Sequence, residues 1–323
     1  MRVNRLLMCV LMGMPCIQAQ SPRMYVADKY EHRIPALFEM TGSVMPRWSG
    51  RALIGIQDNE SSGPLIYTID KDGRKDRFSF AIPDAGVIYM HGFAMSSDGT
   101  VALVGGASSG DSRVSSFLAL VSPDRKRQTV VRTWPYVASE VVFVPDGSMW
   151  TVGYTFHDTE DRIVKPNTLS HFDSAGKLLA SFEVTAKSRG GNGRTAANNS
   201  FLRASHDRMG WFTNGMEYIE FSFDGKERDR FDGPEAGDVM AAIRRASFAL
   251  SDDSEVLFGT ILNDRRSTWA LDREQRRWVP VQFQDASLPD WGYLLGFDGR
   301  TLVSTGRFRE MRRYLPSPQT NTQ

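Results

Sequence analysis

A single unit recurs along this chain: an apolar strand, a tight turn built on Asp and Gly, and a second apolar strand. Its clearest copy is Gly92-Phe93-Ala94-Met95, then Asp98-Gly99, then Val101-Ala102-Leu103-Val104. It returns as Val141-Val142-Phe143-Val144 with Asp146-Gly147 and Trp150-Thr151-Val152, and as Phe201-Leu202-Arg203-Ala204 with Asp207 to Gly210 and Trp211-Phe212. Further copies are Ser247-Phe248-Ala249-Leu250 with Asp252-Asp253, and Tyr293-Leu294-Leu295 with Asp298-Gly299. A weaker first copy is Ser49-Gly50 followed by Ala52-Leu53-Ile54. The turns fall near positions 49, 98, 146, 207, 252 and 298, a spacing near 48 broken only by a longer third interval. A repeat of that length places strong limits on the fold, because each unit must stack on its neighbours to bury its apolar faces.

Within each unit a second turn follows, as at Asp72-Gly73, Pro123-Asp124, Ala175-Gly176, Asp224-Gly225 and Asp272-Arg273. Asp-Gly between alternating apolar runs is a strong hairpin signal. Two hairpins per unit give four strands in about 48 residues, the content of a propeller blade. The expected fold is therefore all-β: a β-propeller of six blades of four antiparallel strands, with seven blades allowed if residues 23–48 form more than a closing strand. Met24-Tyr25-Val26-Ala27-Asp28 lies before the first full unit, and the last unit runs out of strands near Leu315. The N-terminal segment is accordingly expected to complete the last blade and remove an exposed sheet edge.

The stretch Met24-Tyr25-Val26-Ala27-Asp28-Lys29-Tyr30-Glu31-His32-Arg33-Ile34 resembles the core of an NHL repeat, at Tyr25, Val26, Ala27, Asp28, His32, Arg33 and Ile34. The likeness covers this one run, and the later units lack it. It implies a six-bladed propeller and no particular activity. In style the whole chain is similar to secreted bacterial propellers.

Residues 1–20 read as a signal peptide: Arg2 and Arg5 precede the apolar run Leu6 to Met12, and Ala19 supplies the small residue before a cut. The domain division is a signal peptide at 1–20, one propeller domain at 21–315 and a frayed tail at 316–323. Secreted or periplasmic localisation follows. Cys9 and Cys16 both lie within the signal segment, so the mature chain is expected to hold no disulfide, thiolate metal site or cysteine nucleophile. Removing Arg2 and Arg5 takes the formal charge from +1 to −1. No global field then favours nucleic acid. No other stretch is long and apolar enough to span a bilayer, and a monomer is expected.

Counting about seven positions back from each first turn gathers candidates for one mouth of the central channel: His91, Ser139 with Glu140, Asn199 with Ser200, Arg244 with Arg245, and Asp290 with Trp291. The ring offers an imidazole, carboxylates, an amide, guanidinium groups and an indole. Glu140, Asn199 and Asp290 carry oxygen donors of the kind Ca²⁺ accepts, making calcium the one cofactor to test. A one-residue slip of register would turn each side chain to the other face. Trp134 and Trp291 fall near loops as candidate stacking platforms, whereas Trp150, Trp211, Trp269 and Trp278 are expected to pack between blades.

Other motifs carry less. His157-Asp158-Thr159-Glu160-Asp161 reads as a solvated hairpin loop, and the glycine-rich insertion at 185–199 lacks the lysine and helix of a phosphate-binding loop. Neither G-x-S-x-G nor H-E-x-x-H occurs. The functional expectation is a non-catalytic binding or scaffold propeller for a protein, peptide or glycan partner. The alternative is a lactonase-like hydrolase or lyase, with His91 or Glu140 moving the proton and Arg245 clamping an anion.

Overall fold

The computed structural model describes residues 23–33, 46–57, 63–108, 114–157, 162–188, 196–197, 199–235, 246–262, 265–284, 293–305 and 310–317. All the regular structure described is β. A lone first strand, β1 (Arg23–Arg33), is followed by antiparallel sets of four. The first set is β2 (Arg47–Trp48), β3 (Ala52–Gln57), β4 (Leu65–Asp70) and β5 (Lys75–Ser79). The second is β6 (Val87–Met95), β7 (Val101–Ser108), β8 (Val114–Val121) and β9 (Gln128–Arg132). The third is β10 (Tyr136–Phe143), β11 (Met149–Phe156), β12 (Ile163–Phe172) and β13 (Leu178–Glu183). The fourth is β14 (Phe201–Ala204), β15 (Met209–Phe212), β16 (Glu217–Phe221) and β17 (Glu227–Asp232). The fifth is β18 (Ala246–Leu250), β19 (Val256–Leu262), β20 (Arg265–Asp272) and β21 (Arg277–Gln284). Last come β22 (Leu294–Asp298), β23 (Thr301–Thr305) and β24 (Glu310–Pro316), which take β1 as their fourth strand.

The turns sit where Asp and Gly put them. The amide of Gly99 donates to Ser96 O, that of Gly147 to Val144 O and that of Gly225 to Ser222 O. Gly99 and Gly225 hold φ of +95° and +82°, conformations that a Cβ would strain. The aspartates close the same turns from the side. Asp98 Oδ1 accepts from Thr100 N at 3.0 Å, and Asp146 Oδ1 from Ser148 N at 2.8 Å.

Alternation then decides what packs where. Side chains on a strand point to opposite faces in turn, so each set offers one face to the set before it and one to the set after. Among the described residues this gives six apolar layers. Ile54 and Phe93 belong to the layer between the first and second sets, and Ala94 and Val141 to the next. Val142 and Leu202 meet in the third layer, Phe212 and Phe248 in the fourth, and Ala249 and Leu294 in the fifth. The sixth layer joins Leu295 and Val303 to Trp48 and Leu53 of the first set, which brings the chain back on itself. The chain is thus an all-β propeller with the four-stranded sets as its blades. Trp150 and Trp211 are fully buried between blades, with Trp269 and Trp278 partly so, as their strand positions implied.

The closing strand does more than the sequence suggested. β1 pairs antiparallel with β24, matching Tyr25 to Pro316, and also parallel with β21, matching Tyr25 to Phe283. The fifth and last sets are therefore fused into one eight-stranded sheet. Tyr25 is fully buried, and its hydroxyl donates to Glu255 Oε1, which Arg23 also meets at 3.2 Å. β24 runs through Pro316, and Ser317 N donates to Met24 O at 2.9 Å, so the expected tail contributes its first two residues to the sheet. The expected signal segment, the tail beyond 317, the loop residues 158–161 and most of the glycine-rich insertion lie outside the described residues.

Candidate functional site

The innermost strands β2, β6, β10, β14, β18 and β22 line the centre of the ring, and three of them are bulged. β6 skips a register position between Met90 and Gly92, β10 between Ala138 and Glu140, and β22 between Leu294 and Gly296. A bulge leaves one residue unpaired and re-aims its neighbours. Counting back from the turns therefore holds only as far as the bulge.

His91 is the unpaired residue of β6. Its Nδ1–H donates to the carbonyl of Ala138 on β10 at 3.0 Å, which fixes the proton on Nδ1. Burial lowers its proton affinity below the usual histidine range, and the bond to Ala138 only partly opposes this. At neutral pH the ring is uncharged. Next to it, a Cβ on Gly92 would lie 2.9 Å from Ser139 O and 3.0 Å from Glu140 Cα, so β6 and β10 approach in a way only glycine allows.

Glu140 is buried and, among the described mouth candidates, is the one joined to other charges. Its Oε2 accepts from Arg47 Nη2 at 2.8 Å and lies 3.7 Å from Arg203 Nη1. Arg47 stands on β2 of the first set and Arg203 on β14 of the fourth, so the cluster reaches from one set to another across the ring. Arg47 lies over the ring of Phe93 (4.7 Å to the centroid) and also donates to Val141 O at 3.4 Å. Arg203 donates to Leu202 O at 2.8 Å. Burial first, then Arg47, push the Arg203 guanidinium down to about 9, and Glu140 pulls it back up; it stays cationic at neutral pH.

Asn199 and Ser200 do not join this cluster. Asn199 is exposed in a turn at φ +53°, and Ser200 spends its hydroxyl on Ala197 O at 2.8 Å. Arg244, Arg245, Asp290 and Trp291 lie outside the described residues. Two guanidinium groups on Glu140 make it a poor calcium ligand, since a divalent cation would have to displace them. Among the described residues no group of three or more His, Cys, Asp or Glu is placed to hold a metal.

Arg47 and Arg203 were missed as site residues although they share a signal. Each stands two positions before the serine that opens the first turn, Ser49 and Ser205, where other units carry Ala94, Val142 and Ala249. A charge at a position that is otherwise apolar was the available clue.

A second polar group resembles a nucleophile site. His171 Nε2 lies 2.8 Å from Ser148 Oγ, with Asp146 2.6 Å from the same hydroxyl. The carboxylate contacts the serine rather than the imidazole, and it also accepts from Ser148 N. In a nucleophilic triad the acid orients the histidine instead. The aspartate here closes the β10–β11 turn, while His171 stacks on Trp150 at 4.3 Å.

The rim opposite the first turns exposes large apolar side chains in the second and third sets, beside the exposed Arg132 at the end of β9. Antiparallel order puts the start of β6, the end of β9 and the start of β10 on that rim. There Val87 is 47% exposed, Tyr89 54% and Trp134 41%. Trp134 stacks on Phe156 at 5.5 Å, and Phe156 meets Tyr154 edge-on at 5.5 Å.

Comparisons with known proteins place the fold and nothing finer. No protein-family model matches the chain, and no curated protein matches it in sequence. Among solved structures the chain is similar to a luciferin-regenerating enzyme (TM-score 0.52, 10% identity, 89% of this chain and 95% of that one). It is likewise similar to the Pan2 WD40 domain of Neurospora crassa (TM-score 0.50, 10% identity, 93% and 96%). BamB from Moraxella catarrhalis aligns at a TM-score of 0.42 and 10% identity over 90% of this chain and 99% of that one. At such identities the likeness shows a propeller, a fold shared by enzymes and scaffolds alike.

Proposed function

We propose that this protein is a non-catalytic binding propeller that meets a protein or peptide partner through the apolar rim of its second and third blades, outside the cytoplasm. Counting each four-stranded set as one blade gives six, in keeping with the NHL-like run in β1. The observation that carries the reading is the trio Val87, Tyr89 and Trp134, large apolar side chains exposed on one rim. Exposed aromatic side chains are enriched where proteins meet partners, because they bring much contact area at little entropic cost. The acid–base candidates weigh the same way. His91 is neutral and bonded to backbone, and Glu140 is bound by two arginines. A glycan partner would use the Trp134–Phe156 stack as its platform.

Affinity capture from an envelope extract tests this. The wild type and a Tyr89→Ser/Trp134→Ser double variant of equal melting temperature are compared. The expected result is a partner held by the wild type and lost from the variant. Equal capture by both overturns the rim as the binding surface. Turnover of a lactone or ester panel that disappears in Glu140→Gln supports the hydrolase alternative instead.

A further inference from the structure

Two arginines and one carboxylate meet in the channel, and their charges do not balance. Glu140 is the only acidic group among the described residues within ion-pair distance of Arg47 or Arg203. His91 is uncharged and adds nothing to either side. On the far side of the ring, β18 offers Ser247, whose hydroxyl is already engaged by Leu294 N at 3.0 Å, and Ala249; Asp298 at the end of β22 is paired with Arg313 at 2.6 Å. Among the described residues the cluster therefore keeps one positive charge in excess in a buried place, where an uncompensated ion costs several kcal/mol.

We propose that the channel binds an anionic oxygen group, a carboxylate or a phosphate, between Arg47 and Arg203. Both arginines approach the same oxygen of Glu140, Arg47 closely and Arg203 loosely, so neither guanidinium makes the bidentate contact its planar fork is built for. The Nε–H groups of both are buried and meet no acceptor. Arg47 is 5% exposed, and its plane is held against Phe93 at 4.7 Å; Arg203 lies 5.9 Å from the ring of Phe201. Two pre-positioned cations that share one counter-charge form a site for a second anion. The lowered proton affinity of Arg203, caused by burial and by Arg47, agrees with this, because the attraction of an added anion would offset both. This site stands apart from the rim, since it uses other residues.

The test is a calorimetric titration with inorganic phosphate and with acetate, each against chloride at matched ionic strength, on the wild type, Arg203→Gln and Glu140→Gln. Wild-type protein should bind at least one of the two saturably, and the probe that binds names the ligand chemistry. Glu140→Gln removes the competing carboxylate and should bind more tightly. Arg203→Gln should bind at least about tenfold more weakly, as expected for the loss of a charge-assisted hydrogen bond. Circular dichroism confirms that each variant is folded. If Arg203→Gln does not fold, the wild-type and Glu140→Gln comparison decides. A flat wild-type titration, an unchanged response in Arg203→Gln, or binding in Glu140→Gln no tighter than wild type would overturn the proposal and leave the cluster a structural ion group.

Discussion

His91 is held neutral, and that has a definite sign in pH. Its folded-state proton affinity lies below the unfolded value of 6.5, because burial disfavours the imidazolium. The unfolded chain therefore binds the proton first as pH falls. Stability is at its full value above 6.5 and declines below it, until the folded-state value is reached and the slope ends. Urea unfolding at pH 7.5 and 5.5 should show this decline in the wild type and a smaller one in His91→Asn. An equal decline in both would assign the slope to other groups. At this scale the sequence was partly legible. Glu140 stood out as a carboxylate opening the apolar run Val141-Val142-Phe143-Val144. Its partners did not, because Arg47 and Arg203 lie 93 positions before it and on another blade after it, and only ring closure brings them together.

Strands and turns were the most legible elements. The Asp-Gly pairs mark local geometry, and alternation marks faces, so both signals lie within a few residues of one another. The bulges of β6, β10 and β22 were not legible, since nothing at His91, Ser139 or Leu295 announces an unpaired residue. The turn-anchored count failed at Asn199 for another reason: β14 is short and begins only at Phe201, so Asn199 sits exposed in the turn before it. The bulge of β6 is tied to its neighbour through Gly92. A methyl group there meets backbone atoms at 2.9 and 3.0 Å, and backbone does not rotate away. Gly92→Ala should cost about 1–3 kcal/mol, the range for overpacking an interior site. Urea unfolding measures it. A variant as stable as wild type would mean that β6 and β10 can separate freely.

For the whole molecule, the ring was legible from the repeat, and the closing strand from the shortage of strands in the last unit. The double use of β1 was not, because parallel pairing with β21 leaves no local mark. Tyr25 concentrates that role: it is fully buried, it contacts Phe283 at 5.8 Å, and its hydroxyl meets Glu255. Tyr25→Ala should cost about 3–5 kcal/mol, as for other buried aromatic truncations. Tyr25→Phe should cost about 1 kcal/mol, the worth of one hydrogen bond. Equilibrium urea unfolding separates the two. If the alanine variant melts with the parent, the seam between the fifth and last sets is held elsewhere.

The same strand sets the order of events in time. Each blade is made of hairpins between near neighbours in sequence, which form quickly. β1 is different: it leaves the ribosome before any of the blades, yet its partner residues, Pro316 and Phe283, arrive nearly three hundred and two hundred and sixty positions later. Contacts of such separation are slow to form. Throughout synthesis, therefore, the earliest strand waits with its apolar residues unpaired, and the growing array of blades stays an open arc until the last one emerges. Any factor that shelters residues near Tyr25 during that interval acts on the yield of folded protein rather than on its final stability.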